Sequence, residues 1–373
     1  MPKIRSLLIS IFVFSIASSA LSVEGTSIKF AIIGDSLSTG AGAHPNLKFD
    51  GSELWQVFNN DIEVQAKVDH VPTPERFALD GQIGAPIRAW PSNREFRGGF
   101  DWVFRHMMLS VSMKYLNTEE YSWGYLVGRG LGHSPHEILI AGQDGARTSA
   151  IPRQVDRILD NMGGGYPEKV MMLFTGNDLC GPSMNFVTTA DEYEELLKDG
   201  LEYLVRNGET APRGTDVYLV GFLGVLQLLH ADAILDHEIE AFGAKTTCRE
   251  LRKSNYRPKE EIAYDPKFPP EAFYFGLMMP PNPAGYCPTL FGAGIGGTKE
   301  NIGDLANRIR KFRQVQDKVV GEFNKRELAG FRFHYLKAPT KIVFEGDDVA
   351  GDCFHLSVKG QGRVAENILN EIR

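Results

Sequence analysis

What most constrains this chain is an alternation. Short apolar runs rich in β-branched and aromatic residues recur along it at residues 28–33, 137–141, 169–175, 216–222 and 331–336. Helical spacing separates them, at 151–162, 190–206, 225–242 and 299–328, and a last helical stretch covers 357–372 with Ser357 as its N-cap. Strands that alternate with helices pair in parallel, because each crossover returns the chain to the same end of the sheet. The expected fold is α/β: a doubly wound, mostly parallel five-stranded sheet flanked by helices. Ligands in such sheets bind beyond the carboxyl ends of the strands.

Two long segments interrupt the alternation. The first, about 43–118, carries Trp55, Trp90, Trp102, Phe96, Phe100 and Phe104; the second, about 243–297, is rich in Pro, Gly and Tyr. Such inserts either pack on the scaffold or shape a site beside it. Residues 1–22 read as a secretory signal peptide: Lys3 and Arg5 precede an apolar stretch from Leu7 to Ala17, which ends in the small-residue pattern Ala20-Leu21-Ser22. That stretch is short for a membrane span of about 20 residues. Residues 23–373 are expected to form one domain carrying both inserts, secreted or periplasmic. A net charge of -7 without a basic run argues against a nucleic-acid partner, and nothing points to a protein partner. Export permits disulfides among the four cysteines, Cys180, Cys248, Cys287 and Cys353. Cys248 and Cys287 bracket one irregular segment, which favours their pairing and leaves Cys180 with Cys353. No Cys-x-x-Cys spacing marks a zinc site, and no metal or other cofactor is expected.

Four motifs fall at expected strand ends or just before the last helix. The first run ends in Gly34-Asp35-Ser36-Leu37, the second in Gly142-Gln143-Asp144-Gly145, and the third in Gly176-Asn177-Asp178-Leu179-Cys180. Asp352-Cys353-Phe354-His355 comes before the last helix. Taken singly, each has an ordinary reading as a turn or helix cap. Taken together they supply a serine nucleophile, a glycine N–H and an asparagine side chain that can donate to an oxyanion, and a histidine with an Asp three residues before it to orient the ring. Asp347 and Asp348 lie near His355 and raise a metal site as an alternative.

The four blocks in this order resemble the GDSL, or SGNH, hydrolase superfamily. The resemblance implies an SGNH hydrolase fold with flavodoxin-like strand order. It implies Ser36 as nucleophile, His355 as base and Asp352 as the orienting acid. It also implies an oxyanion hole of the Ser36 N–H, Gly145 and Asn177. Gly-Asn-Asp-Leu-Cys with Asp-Cys-Phe-His looks like phospholipase B-like lipases, and residues 175–229 look closer to the acyloxyacyl hydrolase catalytic domain. These 373 residues lack the six-cysteine saposin module of that group. The expected activity is a secreted serine ester hydrolase that releases acyl chains from a lipid ester, with peripheral contact to a membrane. The alternatives are a carbohydrate O-acetyl esterase and a non-catalytic lipid- or glycan-binding protein on the same fold.

Overall fold

The computed structural model describes residues 28–41, 43, 119–143, 145–180, 184–241, 244–250, 288–291, 299–351 and 353–373. The expected signal peptide and residues 44–118 of the first expected insert lie outside them, as do Asp352 and Cys287. Five strands form one sheet: β1 (Phe30–Gly34), β2 (Ile138–Ile140), β3 (Lys169–Leu173), β4 (Thr215–Val220) and, later in the chain, β7 (Phe331–Leu336). A separate antiparallel pair, β5 (Glu238–Ala241) and β6 (Ala244–Thr247), lies between the last two. The order across the main sheet is β2-β1-β3-β4-β7, and all four neighbouring pairs are parallel.

The handedness of the crossovers then places the helices. They are α1 (Ser36–Thr39), α2 (Trp123–Gly130), α3 (Ile151–Met162), α4 (Ala190–Asn207), α5 (Val225–His230), α6 (Asp232–Leu235), α7 (Pro288–Phe291), α8 (Lys299–Asn324) and α9 (Val358–Ile372). From β2 the chain moves to β3, β4 and β7 in one direction across the sheet. Right-handed connections therefore put α3, α4 and α8 on one face. The step from β1 to β2 runs the other way and puts α2 on the opposite face, where α9 packs against it. Direction reverses between β1 and β3, and this switch point opens a crevice at their carboxyl ends.

β1 is sealed on both faces: Phe30, Ala31, Ile32 and Ile33 have no exposed surface. Burying a side chain of that size contributes roughly 1.5–3 kcal/mol. α2 comes close to β1 because residue 124 is glycine; a Cβ there would stand 2.6 Å from Ile32 Cγ1. On the other face Tyr193 of α4 stacks on Phe312 of α8 with centroids 4.1 Å apart. The last helix starts as its sequence predicts, with Ser357 Oγ accepting from the Gly360 N–H at 3.2 Å.

Two expectations fail. The pattern at 225–242 does not make one helix: α5 stops at His230, Ala231 is extended with ψ 128°, α6 adds one turn, and the chain turns into β5. Tertiary partners outweigh local propensity here. His230 Nε2 meets the Leu290 carbonyl at 2.6 Å, and Glu238–Ala241 pairs with Ala244–Thr247. The cysteine pairing also differs. Cys248 bonds to Cys353, 105 residues away, rather than to Cys287, and so Cys353 does not pair with Cys180. Cys180 is disulfide-bonded as well. Cys248 and Cys287 are near in sequence, but the fold brings the end of β6 beside the loop that precedes α9.

Candidate active site

The site is built from the ends of β1 and β3. Gly34 closes β1 with φ +153°; a Cβ there would fall 2.2 Å from both the Leu173 carbonyl and Ser38 Oγ, so only glycine fits. Its backbone is held from the helical layer: Gln154 of α3 accepts from the Gly34 N–H at 2.7 Å and donates to the Gly34 carbonyl at 2.9 Å. Asp35 caps α1, accepting from the Leu37 N–H at 3.0 Å through Oδ1. Its Oδ2 crosses to the end of β3 and accepts from the Thr175 N–H at 2.8 Å and Thr175 Oγ1 at 2.7 Å. Burial pushes this carboxyl up to about 6, against the opposing pull of the bonds from Thr175 and Leu37 and of nearby His355. Ser36 opens α1, where a backbone N–H has no partner within the helix. Gln361 of α9 donates to the Leu37 carbonyl at 3.2 Å while accepting from the Trp123 N–H at 2.9 Å, so α1 is tied to α2 and α9 together.

A second buried carboxylate joins the ends of β2 and β3. Asp178 accepts from the Thr148 N–H at 3.0 Å, from Thr148 Oγ1 at 2.7 Å and from Thr188 Oγ1 at 3.3 Å. Burial raises its pKa, and those bonds together with Arg147 oppose the rise. Beside it Asn177 Nδ2 donates to the Ala146 carbonyl at 3.1 Å. Gly145, next to Ala146, holds φ +69°. The Gly145 loop is therefore fastened to the Asn177 turn by both Asn177 and Asp178.

The third component is the loop before α9. Val349 and Leu356 form an antiparallel bridge, and the Ala350 N–H donates to the His355 carbonyl at 2.9 Å. The neighbouring Phe354 ring meets the His355 imidazole edge-on at 4.6 Å. Asp347 and Asp348, the acids of the metal alternative, pair with Lys359 at 2.7 Å and Arg363 at 2.8 Å.

These three components converge. Ser36, Asn177 and His355 line one pocket with Asp35, Leu37, Thr175 and Gly176. Its remaining described lining is apolar: Val225, Leu228 and Leu229 of α5, Leu290 of α7, and Phe354. α7 is fastened to the Asn177 turn, since Thr289 Oγ1 donates to the Leu179 carbonyl at 2.7 Å. Gly145 is not in the pocket lining, and Asp352 lies outside the described residues. Sequence reasoning missed the α5–α7 wall and the tethers from Gln154 and Gln361. The glutamines had a legible signal: each sits on the apolar stripe of its helix, with Ile151, Val155 and Ile158 or with Val364, Ala365 and Ile368.

The fold and this pocket define an α/β protein with a nearly buried serine and histidine at the switch point of a parallel sheet. No protein-family model matches the chain, and no curated protein matches it.

Proposed function

We propose that the chain is an exported serine ester hydrolase of the GDSL, or SGNH, type, acting on aliphatic acyl esters of lipids. One observation carries the reading: Ser36, Asn177 and His355, from three distant segments, line one pocket whose far wall is apolar. In the mechanism Ser36 Oγ attacks the ester carbonyl carbon as His355 takes its proton. The tetrahedral oxyanion is held by the Ser36 N–H and Asn177, which line the pocket, and the resemblance adds the Gly145 N–H from the loop that Asn177 fastens. A carboxamide has two N–H donors, so Asn177 can keep its bond to Ala146 and offer the second to the oxyanion. His355, oriented by Asp352, then protonates the leaving alcohol. Water hydrolyses the acyl-enzyme by the same route in reverse.

The apolar wall supports an acyl chain over a sugar: no charged side chain among the described lining residues is available to a hydroxylated ligand, because Asp35 spends both oxygens on Leu37 and Thr175. A disulfide supports an oxidising compartment, hence export. The test is a fluorophosphonate probe followed by an acyl-release screen across phospholipids, lipid A and acetylated glycans. Labelling at Ser36 with release of fatty acid is expected. Release of acetate alone would favour the carbohydrate esterase, absence of labelling a binding protein, and wild-type turnover by Ser36→Ala would rule out the assignment.

A further inference from the structure

We infer that the Cys248–Cys353 bond is a positioning element of the active site, and that His355 is competent as a base only while that bond is closed. The inference rests on the ester-hydrolase reading of Ser36 and His355. Cys353 lies two residues before His355 and next to Phe354, which lines the pocket. Its backbone is left-handed, with φ +59°. L residues enter that region at a cost and stay there only when their surroundings impose it. The loop's own bonds, Ala350 N–H to the His355 carbonyl and Cys353 N–H to the Ala350 carbonyl, both at 2.9 Å, give the loop its shape. Where the loop sits relative to Ser36 is set from outside it, by α9, whose Gln361 donates to the Leu37 carbonyl at 3.2 Å, and by the disulfide. The disulfide runs outward, from the middle of the loop to Cys248 at the end of β6, and both sulfur-bearing residues are buried.

The other end of the bond is itself anchored. Arg249, next to Cys248, pairs with Asp232 at 2.6 Å and Asp236 at 2.5 Å, which fastens the end of the β5–β6 pair to α6. α6 directly follows α5, which carries Val225, Leu228 and Leu229 of the apolar wall. One covalent link thus joins the base-bearing loop to the segment that bears the wall, and neither belongs to the central sheet. Opening the bond leaves the β1 and β3 ends of the site as they are and removes the covalent tie on the histidine side, where Leu356 stays buried and Ser357 stays bonded to the Asp348 carbonyl. Displacement of a reacting group by about 1 Å can cost about 10²-fold in rate. The consequence is that turnover depends on the oxidation state of this pair.

The experiment compares oxidised full-length chain, Cys248→Ser/Cys353→Ser, and wild type titrated with dithiothreitol. In the titration two electrons and two protons pass to the cystine, giving two thiols, and the reagent closes to its cyclic disulfide. Peptide mapping identifies which bond has opened. With a p-nitrophenyl acyl ester, kcat is expected to fall about 10²-fold while KM stays within threefold, fluorophosphonate labelling of Ser36 slows in parallel, the acid limb of the pH–rate profile moves, and circular dichroism remains native. A kcat within twofold of the oxidised enzyme with the bond shown open overturns the inference. If the double variant does not fold, the titration decides: loss of activity ahead of unfolding supports a positioning role, and loss coincident with unfolding overturns it. Oxidised wild type that neither turns over nor labels would instead remove the ester-hydrolase reading.

Discussion

The two sides of the pocket are held by different means. On the nucleophile side, the ends of β1, β2 and β3 are joined by buried polar groups, with Asp35 bridging to Thr175, Asp178 bridging to Thr148 and Gln154 holding Gly34. Those anchors sit on or beside the parallel sheet, and Gln361 of α9 adds a tether to α1 from the opposite helical layer. On the histidine side, the loop at 349–356 lies past the last strand and is held by its internal bridge and hydrogen bonds, by the start of α9, where the Ser357 N–H donates to the Asp348 carbonyl at 2.9 Å, and by a disulfide. One half of the site is organised by the same interactions that build the sheet. The other half needs a dedicated bond, because a loop carried past the last strand has no ladder to hold it.

Each side of the pocket can be perturbed separately. Removing the proposed nucleophile has the largest expected effect: Ser36→Ala should lower kcat roughly 10⁴-fold or more with the thermal melt unchanged, checked by ester hydrolysis under saturating substrate. Asn177→Ala should cost about 10²–10³-fold in kcat with little change in KM, and probe labelling should slow accordingly. Opening Cys248–Cys353 should cost about 10²-fold in kcat; if it costs nothing, the two halves are not held differently at all.

Asp35 sharpens the nucleophile side through pH. Its carboxyl is raised from 3.8 to about 6 in the folded protein by burial. Between those values the native state binds more protons than the unfolded chain, so this group's contribution to stability falls as pH rises. The total is about 3 kcal/mol for a shift of about two pH units. Urea unfolding at pH 4 and pH 7 should show wild type losing about that much relative to Asp35→Asn. The opposite slope would mean that the hydrogen bonds from Thr175 and Leu37 outweigh desolvation. The smallest effect is expected from Gln361→Leu. It strands the Trp123 N–H and leaves the Leu37 carbonyl with the Gly40 N–H as its partner, which should cost about 1–3 kcal/mol by denaturant midpoint, with a modest fall in kcat because α1 is loosened.

Much of this arrangement was legible beforehand where it depends on local pattern. The β1 run Phe30–Gly34 and the amphipathic stripe of α3 announce themselves within a few residues, as does the Ser357 cap. Motifs at strand ends could be assigned to one edge of the sheet because parallel topology gathers carboxyl ends together. The break after His230 was not legible. What ends α5 includes the Leu290 carbonyl, 60 residues away, and the residues that follow pair as β5 with β6.

Local pattern carries the α/β alternation and the strand-end placement of Gly34-Asp35-Ser36, Gly142-Gln143 and Gly176-Asn177-Asp178. Hydrophobic periodicity and turn chemistry act over a few residues and are written in the chain directly. The strand order with its switch point, the partner of Cys353, the α5–α7 wall, and the choice of buried glutamines and aspartates that fasten the site come from long-range packing. Each joins segments brought together by the crossovers, some of them more than 100 residues apart, and local periodicity carries no information about contacts at that range.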